Sequence, residues 1–261
     1  REQGGQQLTQ ENKLKKALQE GKTVFGPFMK ISDPAVVEIF GHAGFDFVII
    51  DLEHGPLSIE TAQNLVRAAE IVGITPVVRV SVNDPAQISR ALDIGAQGVQ
   101  IPHIVSKVEA DIAVKASKFS PLGERGVCRF VRAADYSALQ QQDYFRSANN
   151  NTLVIAMIEG AEGVQNINEI LTIPGIDIIF VGPYDLSQSL GLLGQISHPK
   201  VCLELEKVAN KAKAMGVAVG TFADSLELAK TYQVLGIKYI SYSVDVSIIY
   251  EAAKQVICQV R

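Results

Sequence analysis

The sequence of 261 residues lacks the patterns of several protein classes. No apolar run approaches the roughly 18 residues of a membrane-spanning helix, and the polar stretch Arg1–Gln7 has no signal-peptide core. The net charge of −4 provides no basic excess for binding nucleic acid. The three cysteines, Cys128, Cys202 and Cys258, lie far apart without a CxxC spacing, which fits a reducing compartment. We therefore expect a cytoplasmic protein without nucleic-acid or membrane partners.

Eight short apolar runs alternate with longer amphipathic stretches. Hydrophobic residues make up 47% of the chain, enough for a large core. Continuous apolar runs of this length are typical of parallel strands that are buried on both faces. The predicted strands are Thr23–Met29, Phe47–Ile50, Pro76–Val80, Gly98–Ile101, Leu153–Ile158, Ile176–Val181, Val217–Thr221 and Ile237–Tyr242.

The amphipathic stretches carry helix start signals, such as Asp84 before Pro85. The predicted helices are Leu8–Glu20, Pro34–Ala43, Ile59–Val72, Pro85–Ile94, Lys107–Lys118, Ala161–Leu171, Val201–Met215, Leu226–Leu235 and Val246–Val260. Repeated strand–helix units without a composition break predict a single α/β domain over residues 1–261, a (β/α)₈ TIM-type barrel. A doubly wound open sheet is the alternative. The long connection Phe119–Asn151, with a helix-like piece around Tyr136–Gln142, predicts a lid or an interface element.

Polar side chains cluster at the predicted strand ends, where such a barrel has its active site. They are Asp51, Glu53 and His54 after the second strand, Arg79 on the third, Glu159 after the fifth and Asp185 after the sixth. Each has a structural explanation when taken alone: Asp185 as a helix N-cap, for example, or Arg79 in a core ion pair. Their coincidence on several strand ends favours a functional cluster.

Glu159 and Asp185 would form an oxygen site with two carboxylates and several open positions. Such a site suits Mg²⁺ or Mn²⁺, which accept a chelating 2-oxo acid and act as a Lewis acid on the enolate that forms. Zinc would need histidine or cysteine ligands, and only His54 is near.

The remaining polar residues suggest acid–base chemistry. Asp51 is expected to orient the His54 imidazole as a base, and Arg79 to stabilise the enolate oxygen. A Schiff-base mechanism requires a desolvated lysine inside the barrel, but the second to seventh predicted strands have none. Lys238 begins the eighth strand, at the wrong end, so Lys30 after the first strand is the only candidate.

Several short motifs follow one another in a distinctive order between about Leu14 and Val256. They are Ala43-Gly44-Phe45-Asp46, Asp51-x-Glu53-His54-x-Pro56, Arg79 with Asn83-Asp84-Pro85, Pro121-x-Gly123-x-Arg125-Gly126, Ile158-Glu159 and Gly182-Pro183-x-Asp185-Leu186-Ser187. In order and spacing the chain resembles the HpcH/HpaI aldolase family, the class II pyruvate-dependent aldolases, which include 4-hydroxy-2-oxoheptanedioate aldolase and 2-dehydro-3-deoxyglucarate aldolase.

The resemblance implies an aldehyde-lyase that uses Mg²⁺, Mn²⁺ or Co²⁺ to cleave 4-hydroxy-2-oxo acids into pyruvate and an aldehyde through an enolate. It also implies a barrel whose last helix is exchanged between subunits of a homo-oligomer, a hexamer. The implied roles are metal binding for Glu159 and Asp185, acid–base work for His54 with Asp51, a substrate-oxygen contact for Arg79, pyruvate carboxylate binding at the backbone of Gly182, Pro183 and Tyr184, and an indirect metal contact through water for Glu53.

Two positions depart from this pattern. Met157 occupies the place where typical aldolases have a glutamine that contacts pyruvate, and Lys30 the place of a small or apolar residue. A Met-Ile-Glu sequence is shared with macrophomate synthase. An oxaloacetate decarboxylase or a macrophomate-synthase-like enzyme, using the same enolate, is therefore the alternative. A degenerate barrel that binds a 2-oxo acid without turnover is the non-enzyme alternative, against which the intact polar cluster argues.

Overall fold

In the computed structural model, which describes residues 11–261, eight parallel strands close into a barrel in chain order. They are β1 (Val24–Met29), β2 (Phe47–Asp51), β3 (Thr75–Arg79), β4 (Gly98–Ile101), β5 (Leu153–Ile158), β6 (Ile178–Val181), β7 (Ala218–Ala223) and β8 (Tyr239–Val244). The predicted (β/α)₈ barrel is confirmed. The open sheet is excluded because β8 pairs with β1.

Helices follow the strands around the outside of the barrel. They are α1 (Lys13–Gln19), α2 (Pro34–Ala43), α3 (Ile59–Val72), α4 (Pro85–Asp93), α5 (Lys107–Ser117), α6 (Gln141–Asn151), α7 (Ala161–Gln165), α8 (Ile167–Ile170), α9 (Pro183–Ser189), α10 (Pro199–Ala214), α11 (Leu226–Val234) and α12 (Asp245–Val260). Local signals set their ends. The Ser58 hydroxyl accepts the Thr61 N–H at the start of α3, and Gly73 ends this helix at a φ of 75°.

Four helical regions differ from the sequence predictions. The helix predicted over residues 161–171 is split at Asn166, whose amide donates to the Val105 carbonyl. The connection over residues 119–151 contains a 3₁₀ segment, Arg132–Ser137, and then α6, where one short helical piece was expected. Helix α9 was not predicted. The leading helix starts at Lys13, and residues 8–10 of its predicted range lie outside the described residues.

The core has two layers because strand residues alternate between the two faces of the sheet. On β2, Phe47 and Ile49 face the barrel interior, while Val48 and Ile50 face the helices. Leu14 of α1 packs with the interior layer. Helix α1 therefore covers the amino-terminal end of the barrel and leaves the opposite end for a binding site.

The same alternation places polar residues over the open end. Each lies two residues after an interior-facing residue and therefore continues the interior row of its strand. These pairs are Phe28 and Lys30 at the end of β1, Ile49 and Asp51 on β2, Val77 and Arg79 on β3, and Met157 and Glu159 at the end of β5. Gly182 follows β6 at the equivalent place, two residues after Phe180, and has no side chain there. Among residues 11–261 we find no helix with the length and apolarity needed to cross a membrane.

Candidate active site

A cavity of about 200 Å³ opens at the carboxyl ends of the strands. A larger cavity of about 620 Å³ lies at the other end of the barrel, beside Gln97 and Thr152, which precede β4 and β5. Strand polarity identifies the smaller cavity as the candidate active site, since barrel enzymes work at the carboxyl ends. It is lined by Lys30, Asp51, His54, Arg79, Glu159, Gly182, Pro183, Tyr184 and Asp185, and by the less polar Phe28, Met157, Phe180, Phe222 and Val244.

Arg79 and Asp51 are paired on neighbouring strands. The register of β2 and β3 sets their Cα atoms opposite each other. Arg79 donates from Nε to Asp51 Oδ1 at 2.9 Å and from Nη2 to Oδ2 at 2.8 Å, while its Nη1 lies 2.9 Å from Glu53 Oε2. Burial alone would raise the pKa of Asp51, but the hydrogen bonds and charge of Arg79 outweigh burial and lower this pKa.

The contact between Asp51 and His54 differs from the one expected. Asp51 Oδ1 accepts the backbone N–H groups of Glu53, at 3.1 Å, and of His54, at 3.2 Å, rather than the imidazole. The expectation that Asp51 orients the imidazole directly is therefore wrong in this structure. The physical reason is that the Arg79 fork and the two amides already use the Asp51 oxygens. The imidazole is 58% exposed, and its Nε2 lies 3.8 Å from Glu53 Oε2.

Glu159 is buried at the end of β5. Burial is the largest cause that raises the pKa of Glu159, and the negative charges of Glu53 and Asp185 raise it further. The hydrogen bond from the His103 N–H opposes this rise, because it lowers the pKa. A Cβ at Gly182 would lie 3.0 Å from Glu159 Cγ and 3.2 Å from Oε1. Glycine at this position therefore leaves room beside the carboxylate.

The donor set fits a divalent cation that keeps several open positions. Among residues 11–261 no group of three or more His, Cys, Asp or Glu side chains forms a closed metal cage. Glu159 and Asp185 instead supply two carboxylates on one cavity wall, and their repulsion raises the pKa of Glu159. A cation would relieve this repulsion, and Mg²⁺ or Mn²⁺ commonly binds through one or two carboxylates with water or substrate completing the coordination.

His103 is a site residue that the sequence analysis missed. It follows β4 and has a φ of 56°, unusual for a residue with a side chain. Its backbone N–H donates to Glu159 Oε2 at 2.9 Å. Its Nδ1 lies 3.3 Å from that oxygen and its Nε2 lies 3.3 Å from Glu53 Oε1. The signal was available, because the sequence Ile101-Pro102-His103 puts an imidazole just beyond a predicted strand end.

Met157 lies in the floor of the cavity, where it is 1% exposed. Gln100 of β4 is fully buried and donates from Nε2 to the Met157 sulfur at 3.3 Å. Sequence analysis did not single out Gln100. The methionine thus both faces the cavity and packs against the barrel interior.

The other expected residues are distributed around the same cavity. Gly182, Pro183 and Tyr184 line it where β6 leads into α9. The Tyr184 hydroxyl donates to Asp224 Oδ2 at 2.7 Å; burial first, then Asp224, raises the pKa of Tyr184 to about 12. Glu53 does not line the cavity, but it contacts Arg79, which does.

This chain is similar to known proteins in both sequence and fold. The family described as HpcH/HpaI aldolase/citrate lyase matches residues 25–252. A hydroxypyruvate/pyruvate aldolase of Paraburkholderia phytofirmans is 35% identical, with 96% of this chain and 98% of the relative covered. A 4-hydroxy-2-oxo-heptane-1,7-dioate aldolase of Escherichia coli is also 35% identical, with 94% and 93% covered.

Among solved structures, an HpcH/HpaI aldolase/citrate lyase family protein from Burkholderia cenocepacia superposes with a TM-score of 0.91 at 37% identity, covering 96% of this chain and 99% of the other. The sequence match extends over most of the barrel, and the curated relatives are similar over nearly their whole length. The chain therefore belongs to the HpcH/HpaI aldolase/citrate lyase family.

Proposed function

We propose that this protein is a divalent-metal-dependent aldolase that cleaves 4-hydroxy-2-oxo acids into pyruvate and an aldehyde. The observation that carries the proposal is the cavity itself. It combines the carboxylates Glu159 and Asp185 with the guanidinium of Arg79 and the imidazole of His54 at the carboxyl ends of the strands. The names of the two curated relatives, both aldolases, support the same reaction class.

Glu159 and Asp185 would hold Mg²⁺, Mn²⁺ or Co²⁺, which when bound supplies Lewis-acid polarisation of a 2-oxo acid. Arg79 supports the negative charge that develops on the keto oxygen as an enolate forms. Its guanidinium has five N–H donors, and the contacts with Asp51 and Glu53 leave part of this set available to a substrate.

His54 carries the proton transfer in this proposal. The imidazole takes the proton from the C4 hydroxyl while the C3–C4 bond breaks, and the aldehyde leaves. The pyruvate enolate then takes a proton at C3 from water, and the imidazolium, which is 58% exposed, releases the proton from the C4 hydroxyl to water. Asp51 accepts the His54 N–H and so fixes the backbone of the turn that follows β2. This positions the imidazole without a direct contact between the two side chains.

The substrate carboxylate is assigned to the segment that leads into α9. Gly182, Pro183 and Tyr184 line the cavity next to Asp185, and the backbone there has no side chain at residue 182 to block approach. This assignment is supported by the family resemblance and by the space beside Glu159.

The test is an assay that measures both products. Protein loaded with Mg²⁺ or Mn²⁺ is incubated with a panel of 4-hydroxy-2-oxo acids, pyruvate is coupled to lactate dehydrogenase, and the aldehyde is quantified separately. We expect equal amounts of pyruvate and aldehyde. Pyruvate and CO₂ from oxaloacetate, without cleavage of any hydroxy-oxo acid, would instead establish the decarboxylase alternative. No turnover with any substrate would support a binding protein.

We also propose that the protein is a homo-oligomer, as the family resemblance implies. Helix α12 supports this, because after its buried first residue, Asp245, it exposes apolar side chains that include Ile249, Tyr250 and Val256. Exposed apolar surface of this kind marks interaction sites. Sedimentation velocity is expected to give a hexamer, and a monomer at micromolar concentration would contradict the proposal.

A further inference from the structure

Lys30 and Glu159 lie on opposite sides of the cavity. Strands β1 and β5 are four strands apart in either direction around the closed barrel. Lys30 follows β1 and Glu159 follows β5, both in the interior row of their strands. A molecule bound at Glu159 and Asp185 that extends across the cavity therefore reaches Lys30 with its far end.

The backbone of Lys30 is held in place by a buried carboxylate. Asp245, at the start of α12, is fully buried. Its Oδ2 accepts the N–H groups of Lys30, at 2.8 Å, and of Ile31, at 2.7 Å. Hydrogen bonds to a charged acceptor are stronger than neutral ones, so this turn is well fixed. The position of Lys30 at the cavity is thus built into the barrel and does not depend on a free loop.

The ammonium group of Lys30 keeps donors for a ligand. Its Nζ donates to the His54 carbonyl at 3.2 Å and lies 3.7 Å from Asp51 Oδ2, and the side chain is 29% exposed. Asp51 is already bonded to Arg79 and to two backbone amides, so it does not require Lys30 as its main partner. An ammonium has three donors, and the described contacts use only part of them.

Arg79 is less available than Lys30 for a second anionic group. It is buried, and all three of its nitrogens contact the carboxylates of Asp51 or Glu53. Among the described residues that line the cavity, Lys30 is therefore the cation best placed to bind a charge at the end of a substrate remote from Glu159.

We infer that Lys30 binds a carboxylate on the aldehyde half of the substrate. The preferred substrates are then 4-hydroxy-2-oxo acids with a second carboxylate at the far end, and the preferred acceptors are short aldehyde acids. This inference rests on the proposed function, and it assigns to Lys30 selection of the substrate rather than a covalent step.

The first test uses the synthetic direction with two aldehydes of similar shape. Pyruvate is combined with 4-oxobutanoate or with the uncharged 4-methylpentanal. Lys30→Met is expected to lower kcat/KM for 4-oxobutanoate about ten- to hundredfold and to change the value for 4-methylpentanal less than about threefold. Lys230→Met, on the exposed surface of α11, removes the same charge elsewhere and is expected to change neither. Equal losses with both aldehydes would mean that Lys30 only supports the His54 turn, and would overturn the inference.

The second test measures binding without turnover. The Kd of 2-oxoadipate and of 2-oxohexanoate is measured by calorimetry on the full chain in the presence of Mn²⁺. The intact protein is expected to prefer 2-oxoadipate at least about tenfold, and Lys30→Met to abolish the preference. Equal or undetectable binding of the two acids would overturn the inference. Preferential binding of 2-oxoadipate with no carbon–carbon chemistry would contradict the proposed aldolase while supporting the role of Lys30.

Discussion

Arg79 binds both carboxylate oxygens of Asp51 across adjacent strands, from Nε at 2.9 Å and from Nη2 at 2.8 Å. The third nitrogen of the guanidinium reaches Glu53. A planar fork on a buried carboxylate fixes the guanidinium plane, and so fixes the direction of its remaining donors. This pair is the rigid part of the candidate site, because Asp51 is fully buried whereas the His54 imidazole is largely exposed.

The Arg79→Lys variant is expected to lose about 10²–10³ in kcat, because a single ammonium cannot bind Asp51 at two points and also serve the substrate oxygen. It is also expected to destabilise the fold by about 1–3 kcal/mol, since Asp51 loses part of its buried hydrogen bonding. Steady-state kinetics and chemical denaturation measure the two effects. Arg67→Lys, on the exposed face of α3, is the matched control. Normal turnover in Arg79→Lys would remove this residue from the mechanism.

Chelation by EDTA is expected to abolish turnover, and Mg²⁺ or Mn²⁺ to restore it. The Glu159→Gln variant is expected to lose Mn²⁺ binding in a calorimetric titration without a lower melting temperature, because burial and neighbouring carboxylates raise the pKa of Glu159 and make its charge costly. Glu162→Gln, an exposed position three residues along, is the control. Full activity in protein shown by elemental analysis to be metal-free would refute the metal assignment.

The His54→Ala variant separates two proton transfers. If the imidazole serves mainly the hydroxyl at C4, the variant is expected to slow aldol cleavage about 10²–10⁴-fold and to slow hydrogen exchange at the pyruvate methyl group much less. Deuterium incorporation followed by NMR measures the exchange, and the coupled assay measures cleavage. Equal losses in the two rates would assign both proton transfers to His54, and no loss would exclude it.

The Met157→Gln variant tests the departure from the family pattern. Glutamine at the cavity floor is expected to donate to bound pyruvate and to lower its Kd about ten- to hundredfold. The competing outcome follows from the contact of the methionine sulfur with Gln100. If Met157 serves mainly as packing, the new amide is buried without a partner and destabilises the fold by about 1–3 kcal/mol. A lower melting temperature with unchanged or weaker pyruvate binding would contradict a ligand-binding role for this position.

The buried Lys118 is expected to make the free energy of unfolding depend on pH. Its buried ammonium donates to the carbonyls of Asn149, at 2.9 Å, and Thr152, at 2.7 Å, and burial lowers its pKa from 10.5 to about 8. Between these two values the unfolded chain still binds a proton that the folded protein has released, so this group increases the free energy of unfolding as pH rises through that window. The expected contribution is about 1–3 kcal/mol.

The measurement compares the intact protein with Lys118→Met by denaturation at several values between pH 7 and pH 10. The difference in unfolding free energy, intact protein minus variant, is expected to increase with pH above about 8. Subtracting the variant removes the titration of other groups that the two proteins share. A difference that stays constant over this range would show that Lys118 keeps its ordinary pKa in the folded state.

The sequence by itself determined the barrel and most of the wall of the candidate site. The eight continuous apolar runs indicate strands that are buried on both faces. In a closed barrel, helices cover one face of such strands and the packed interior covers the other. The two-residue alternation then places Asp51, Arg79 and Glu159 in the interior row at the open end, and this placement follows from the sequence alone. Boundaries were less well determined, as at α6 and α9, where weak helical signals in long connections were missed or misplaced.

Only the tertiary structure decided which of these groups are partners. Asp51 lies three residues from His54 in sequence, and yet its side chain binds Arg79, 28 residues away, because the β2–β3 register brings the two Cα atoms opposite each other. His103 reaches Glu159, 56 residues along the chain, only because β4 and β5 are neighbours in the closed barrel. Spacing along the chain fixes the face of the sheet on which a side chain lies. Strand register and barrel closure fix the distances between side chains on different strands, and hydrogen bonds depend on those distances.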